Sequence, residues 1–86
     1  MNHTITDQIS NTTIPHEIVR IMIGDDVTLM AAWRKYRGLS QVQMSEKLGV
    51  TQGAIAQAEK FGNKPHIETL RAWARALDCD VAQLTE

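Results

Sequence analysis

Residues 40–61, SQVQMSEKLGVTQGAIAQAEKF, permit few local structures. Ser40 and Gln43 stand three apart in a capping-box pattern, each side chain able to satisfy the other's orphan backbone N–H. Met44 and Leu48 follow at i, i+4 on one helical face. Gly49 can take the left-handed conformation that ends a helix. Val50 is expected to plug the corner, and Thr51 offers an oxygen to cap the next helix. Beyond it, Ile55 and Ala58 fall inward at i, i+3, leaving Gln52, Gly53, Ala56, Gln57 and Lys60 outward. The spacing predicts two short helices joined by a tight turn, the first over residues 41–48.

Two helices crossing at a glycine corner, with the small Ser45 at their approach, have the architecture of a DNA-binding helix-turn-helix. The wider sequence agrees. Residues 39–49 (LSQVQMSEKLG), then VTQGAIAQAEK, KPHIETL and ALDCDVAQL, resemble the XRE family of helix-turn-helix proteins, which includes the phage repressor and Cro proteins. The resemblance covers about residues 30–84 through several separated motifs.

Eighty-six residues suffice for one domain with a modest core. An apolar content of 43% with 22% charged residues fits an ordinary globular chain. No apolar run approaches a membrane span and no charged-then-apolar leader is present, so the expected location is cytoplasmic. The single Cys79 has no partner for an internal disulfide, in keeping with a reducing compartment, and is expected to be a small buried apolar residue. The net charge of −1 is unevenly spread. Residues 27–77 hold eight basic residues against three acids, a local charge of +5, and the two ends carry −3 each. A basic centre between acidic ends can bind phosphate locally, although some of the acids also serve as helix caps.

Residues 1–13 are polar and aperiodic and are expected to form a mobile tail. Ile14, Ile18, Ile21 and Met22 then repeat at helical spacing after Pro15. They predict a short amphipathic helix over residues 15–23, stopped by Gly24. Its apolar stripe must cover the chain's own core, a second copy or another partner. Asp25 and Asp26 are expected at the start of the next helix, whose dipole favours them there. That helix carries Leu29, Ala32, Trp33 and Tyr36 on one stripe and ends at Gly38. Residues 61–65 form a loop by their Gly, Asn and Pro content. Leu70, Trp73, Ala74 and Leu77 mark a further helix over residues 67–77, with His66 as its cap. Asp80 with Gln83 starts a last turn bearing Val81 and Leu84. No strand-like alternation occurs. The expected fold is all-α: a five-helix repressor-like domain within residues 14–86, its core about 28–84, with an extra short N-terminal helix.

The outer face of the second helix of the pair carries the chemistry. A major groove admits one α-helix, and a glutamine can bond both N6 and N7 of adenine, so Gln52 and Gln57 are the leading base readers. Both match base-reading positions in the XRE repressors, as do Gly53 and Ala54. Ala54 can touch a thymine methyl, and Gly53 permits close approach. The bland alternative is a solvated helix face. Gln41, in the first turn of the preceding helix, suits a phosphate, the contact the family makes with a glutamine there. Lys60, Asn63 and Lys64, with Lys35 or Arg37, are further phosphate candidates. Arg34 and Glu59 match a salt bridge between helices in some XRE repressors, which could also steer Arg34 toward phosphate. Two positions depart from the family pattern: Phe61 replaces a glycine, and Ala58 replaces a larger aliphatic whose space Phe61 could fill.

His3, His16 and His66 stand far apart, and no nucleophile elbow, phosphate loop or close carboxylate pair occurs. The sequence therefore predicts no enzyme, no metal site and no cofactor. Trp33 and Trp73 lie in apolar stripes and are expected in the core. The expected function is a homodimeric, sequence-specific regulator bound to double-stranded operator DNA. With IPHEIVRIMIGDD preceding the domain, the chain is similar to antitoxins of type II toxin–antitoxin pairs, near the HigA group. That likeness implies sequestration of a small RelE/HigB-like toxin and repression of the shared operon. Ile14, Ile18, Ile21 and Met22 would then meet the toxin. The alternatives are a free-standing or prophage repressor, and a protein-interaction module that no longer binds DNA.

Overall fold

The computed structural model describes residues 14–85, and the expected tail over residues 1–13 lies outside them. Five α-helices follow in order: α1 His16–Asp25, α2 Leu29–Tyr36, α3 Gln41–Leu48, α4 Gln52–Ala58 and α5 Ile67–Leu77. The expected last turn is a single 3₁₀ turn over Val81–Gln83. No strand occurs among the described residues, and the fold is all-α. No helix among them is long and apolar enough to cross a membrane.

The first helix starts and stops differently from its sequence expectation. Pro15 is the N-cap rather than the first helical residue, and its carbonyl accepts from Ile18 N–H at 3.0 Å. Gly24 stays helical. The left-handed residue that ends α1 is Asp26, at φ 54°, whose N–H returns to the Met22 carbonyl. A short polar side chain tolerates that conformation better than most. Asp25 and Asp26 therefore close α1 instead of opening α2. The cap of α2 is Thr28, whose hydroxyl oxygen accepts from Ala31 N–H at 3.4 Å.

The apolar stripe of α1 covers the domain's own core. Ile18 is fully buried, and Ile14, Ile21 and Met22 pack partly buried against the same cluster. α2 runs through the centre with Leu29, Met30, Ala31, Ala32, Trp33 and Arg34 all buried. Tyr36 ends that stripe at the rim and is 43% exposed, its ring edge-on to Trp33. Met44, Ile55, Trp73 and Leu77 complete the interior, and Leu84 closes it from the C-terminal side. The Trp33 indole N–H donates to the Gln83 carbonyl at 2.9 Å, so its one polar atom is satisfied inside. His66 occupies the N-cap position of α5 without a side-chain cap bond.

Arg37 fastens the far end. Its guanidinium lies 5.3 Å from the ring centroids of both Trp33 and Tyr36, and it donates to the Leu77 and Asp78 carbonyls at 2.8 and 3.1 Å. These are carbonyls at the C-terminus of α5, where positive charge is favourable. Nearby Cys79 is half-buried. Burial pushes its thiol up from 9.0 to about 11, against the opposing pull of Arg37.

Two outcomes follow. Ile18→Ala should lower unfolding stability by about 2–5 kcal/mol through the cavity it leaves, read as a shifted urea midpoint at unchanged slope. The Cys79 thiol is held neutral in the fold, so its stabilising contribution is intact below pH 9.0 and is lost as pH rises from there through about 11. Stability of wild type should fall more steeply over that window than that of Cys79→Ser, compared by urea titration at each pH.

Candidate nucleic-acid interface

The pair α3–α4 is built by its termini. Ser40 Oγ accepts from Gln43 N–H at 3.0 Å while Ser40 N–H donates to Gln43 Oε1 at 2.8 Å, the complete capping box. At the other end Gly49 has φ 69°, and the N–H groups of Gly49 and Val50 return to the Glu46 and Ser45 carbonyls. This is the Schellman closure that a glycine makes inexpensive. Thr51 then caps α4, accepting from Ala54 N–H at 3.1 Å. Ser45 is buried at the crossing and donates to the Val42 carbonyl at 2.7 Å. Val50 does not plug the corner: the closure ties down its backbone, and its side chain is left 45% exposed.

With Ile55 and Ala58 facing the core, α4 turns Gln52, Gly53, Ala54, Ala56 and Gln57 outward. A Cβ at Gly53 would meet nothing nearer than Thr51 Oγ1 at 3.8 Å, so the glycine leaves a flat outer surface without being sterically required. Beneath this face runs a chain of polar contacts. Arg34 Nε and Nη2 donate to the two oxygens of Glu59, a two-point contact with both side chains less than 10% exposed. Arg34 Nη1 donates to the Leu39 carbonyl at 2.6 Å. Gln41 Nε2 donates to Glu59 Oε1 at 3.1 Å, and Gln52 Nε2 donates to Gln41 Oε1 at 3.3 Å. The buried ion pair thereby orients Gln41, and Gln41 orients Gln52.

The second exposed glutamine has its own support. Gln57 Nε2 donates to Asn63 Oδ1 at 3.4 Å, joining α4 to the loop after it. Lys60 and Lys64 are exposed on that loop, on either side of the half-buried Asn63. A cleft of about 500 Å³ lies alongside, lined by Ala54, Gln57, Asn63 and Lys64 among others. The structure thus brings Gln41 to Gln52, and groups Ala54, Gln57, Asn63 and Lys64 around the cleft, with Lys60 exposed on the same loop.

Several sequence expectations are corrected. Arg34 faces inward with its donors committed to Glu59 and Leu39, so in this arrangement it offers nothing to a phosphate. Arg37 is occupied by the end of α5, and Lys35 lies 3.4 Å from Asp25. Phe61 does not fill the space beside Ala58. It is 67% exposed and borders, rather than fills, a surface cavity of about 330 Å³ lined also by Leu29, Met30, Ala58 and Leu70. Ile18 is fully buried in the core, while Ile14, Ile21 and Met22 pack against it and keep part of their surface exposed. Thr28 and Arg37 were missed as structural anchors. A threonine directly before an apolar periodic stretch is itself a helix-start signal, which the adjacent aspartates obscured. Among the described residues, no three His, Cys, Asp or Glu side chains cluster as metal ligands would.

Comparison with known proteins agrees with this geometry. A family model described as Helix-turn-helix matches residues 30–84, and the chain belongs to that family, in its XRE-type, DNA-binding class. Within it, the chain is similar to Antitoxin HigA1 of Mycobacterium tuberculosis, in strains CDC 1551 / Oshkosh and ATCC 25618 / H37Rv. Identity to each is 37% over 60 residues, which is 70% of this chain and 40% of the relative's length. The chain therefore matches well under half of those relatives. No solved structure matches it.

Breaking the buried pair on one side should be costly. Arg34→Met, which strands the Glu59 carboxylate, is expected to lose about 3–5 kcal/mol, while Arg34→Met with Glu59→Met should lose much less. Denaturant midpoints of both single variants and the double variant measure the difference.

Proposed function

We propose that this chain is a sequence-specific, non-enzymatic repressor that binds operator DNA as a homodimer and is the antitoxin of a type II toxin–antitoxin pair. In this reading Gln52 and Gln57 read base edges, Ala54 meets a thymine methyl and Gly53 allows close approach. Gln41, Lys60, Asn63 and Lys64 hold phosphates. The observation that carries it is the contact chain from the Arg34–Glu59 pair through Gln41 to Gln52. It holds Gln41 and Gln52 side by side before any ligand arrives, which supports reading one as a phosphate contact and the other as a base reader. Such preorganisation reduces the ordering cost of binding. Two protomers suit the task, because one recognition helix buries too little to bind tightly.

The antitoxin part is supported by the likeness to Antitoxin HigA1. Of the stripe assigned to a RelE/HigB-like toxin, Ile18 is committed to the core. Ile14, Ile21 and Met22 keep partial exposure, and Ile23, 78% exposed, adds an apolar side chain on α1. A toxin on α1 would meet these four. The packing of α1 on its own core supports a second reading, a free-standing repressor in which α1 only completes the domain.

The deciding experiment titrates the protein against the DNA upstream of its own gene, with an unrelated duplex as competitor. Each glutamine should contribute about 1–3 kcal/mol of discrimination, so Gln52→Ala/Gln57→Ala should bring operator binding close to the competitor level. Lys64→Ala should weaken both duplexes alike and reduce the salt slope by about one. A wild type with no preference would refute the repressor reading. Co-purification with the product of the neighbouring gene separates antitoxin from free-standing repressor.

A further inference from the structure

The last turn of any α-helix leaves carbonyls without partners inside the helix. At the end of α4 this falls on Glu59, the C-cap, and the structure meets it from far away in sequence. Thr28 Oγ1 donates to the Glu59 carbonyl at 2.8 Å across 31 residues. The same oxygen accepts from Ala31 N–H at 3.4 Å as the N-cap of α2. One half-buried hydroxyl, donor and acceptor at once, therefore ties the start of the most buried helix to the end of the exposed one.

Its position matters because of what flanks it. The Glu59 side chain is already held by Arg34 and Gln41, so Thr28 fixes the remaining free group of that residue. Directly afterwards the chain turns: Lys60 N–H returns to the Gln57 carbonyl at 3.2 Å, and Asn63 N–H to the Lys60 carbonyl at 3.2 Å. Glu59 is thus the pivot between the face bearing Gln52 and Gln57 and the loop bearing Lys60, Asn63 and Lys64. We infer that Thr28 is a positioning residue for DNA recognition, its hydroxyl setting the angle between the base-reading helix and the phosphate-holding loop. The inference rests on the DNA-binding reading above. A cap alone would need only an acceptor oxygen; the bond to Glu59 needs a donor as well.

The test compares wild type, Thr28→Ser, Thr28→Val and Asp80→Ala. The last weakens the cap of the 3₁₀ turn, takes no part in the Thr28–Glu59 bond and serves as a stability control. Preference for the upstream duplex over the competitor is measured where all four are folded, together with amide hydrogen exchange at Lys60 and Asn63. Thr28→Val should lose roughly tenfold in preference, the scale of one hydrogen bond, and should speed exchange at both amides. Thr28→Ser should restore both, and Asp80→Ala should keep the preference despite a lower Tm. Wild-type preference and exchange in Thr28→Val, an equal loss in Thr28→Ser, or an equal loss in Asp80→Ala would each overturn the inference. If Thr28→Val does not fold, Thr28→Asp keeps the cap acceptor without the donor, and unchanged exchange at Lys60 in that variant is equally fatal. A wild type without preference defeats the repressor reading itself, and the positioning role with it.

Discussion

A guanidinium drawn out of water must be given partners for its donors, and in this chain that obligation shapes the outer side of the helix-turn-helix. Arg34 sits on the innermost helix, where Leu29, Ala32 and Trp33 hold it below the surface. Its donors reach Glu59 at the end of α4 and the Leu39 carbonyl just before α3. One side chain therefore ties both helices of the pair to the helix beneath them. Such a pair adds little net stability, because desolvation offsets the attraction. What it supplies is register: Arg34 and Gln41 both meet Glu59, which fixes the end of α4 against α2 and α3.

The apolar interior supplies the stability that the ion pair does not. Trp33 and Trp73 fill the space between α2 and α5, and α1 roofs it with Ile18. Arg37 then closes the ends of α2 and α5 with a stacked guanidinium. Basic residues consequently divide into two populations. Arg34 is buried and Arg37, at the surface, is engaged by the end of α5, while Lys47, Lys60, Lys64, Arg71 and Arg75 are exposed. The charge excess of the central segment overstates what a phosphate backbone can reach.

Much of this was legible in the sequence because the signals were local. The capping box of Ser40 and Gln43, the left-handed Gly49 and the cap at Thr51 are each specified within four residues, and the α3 bounds followed from them. Leu70, Trp73, Ala74 and Leu77 revealed α5 through period alone. The mistakes concern choices that local signals cannot make. Gly24 and Asp26 can both end a helix, and the one that did is the one whose turn seats Thr28 against Glu59. Phe61 and Val50 are apolar, but whether an apolar side chain is buried depends on which way a turn points it. The inward commitment of Arg34 was anticipated through its pairing with Glu59. Its simultaneous use on phosphate was not compatible with that pairing once burial was known.

The shortness of α4 carries an informational limit. Seven residues at about 1.5 Å each give a rod of roughly 10 Å, the length of about three base-pair steps in a duplex. A domain that reads sequence through this rod alone can distinguish on the order of 64 local sequences, and a symmetric pair about the square of that. A genome offers on the order of a million or more sites in competition. Selectivity beyond the square must come from places the rod never touches: the spacing between half-sites, and how readily the DNA between them bends or narrows.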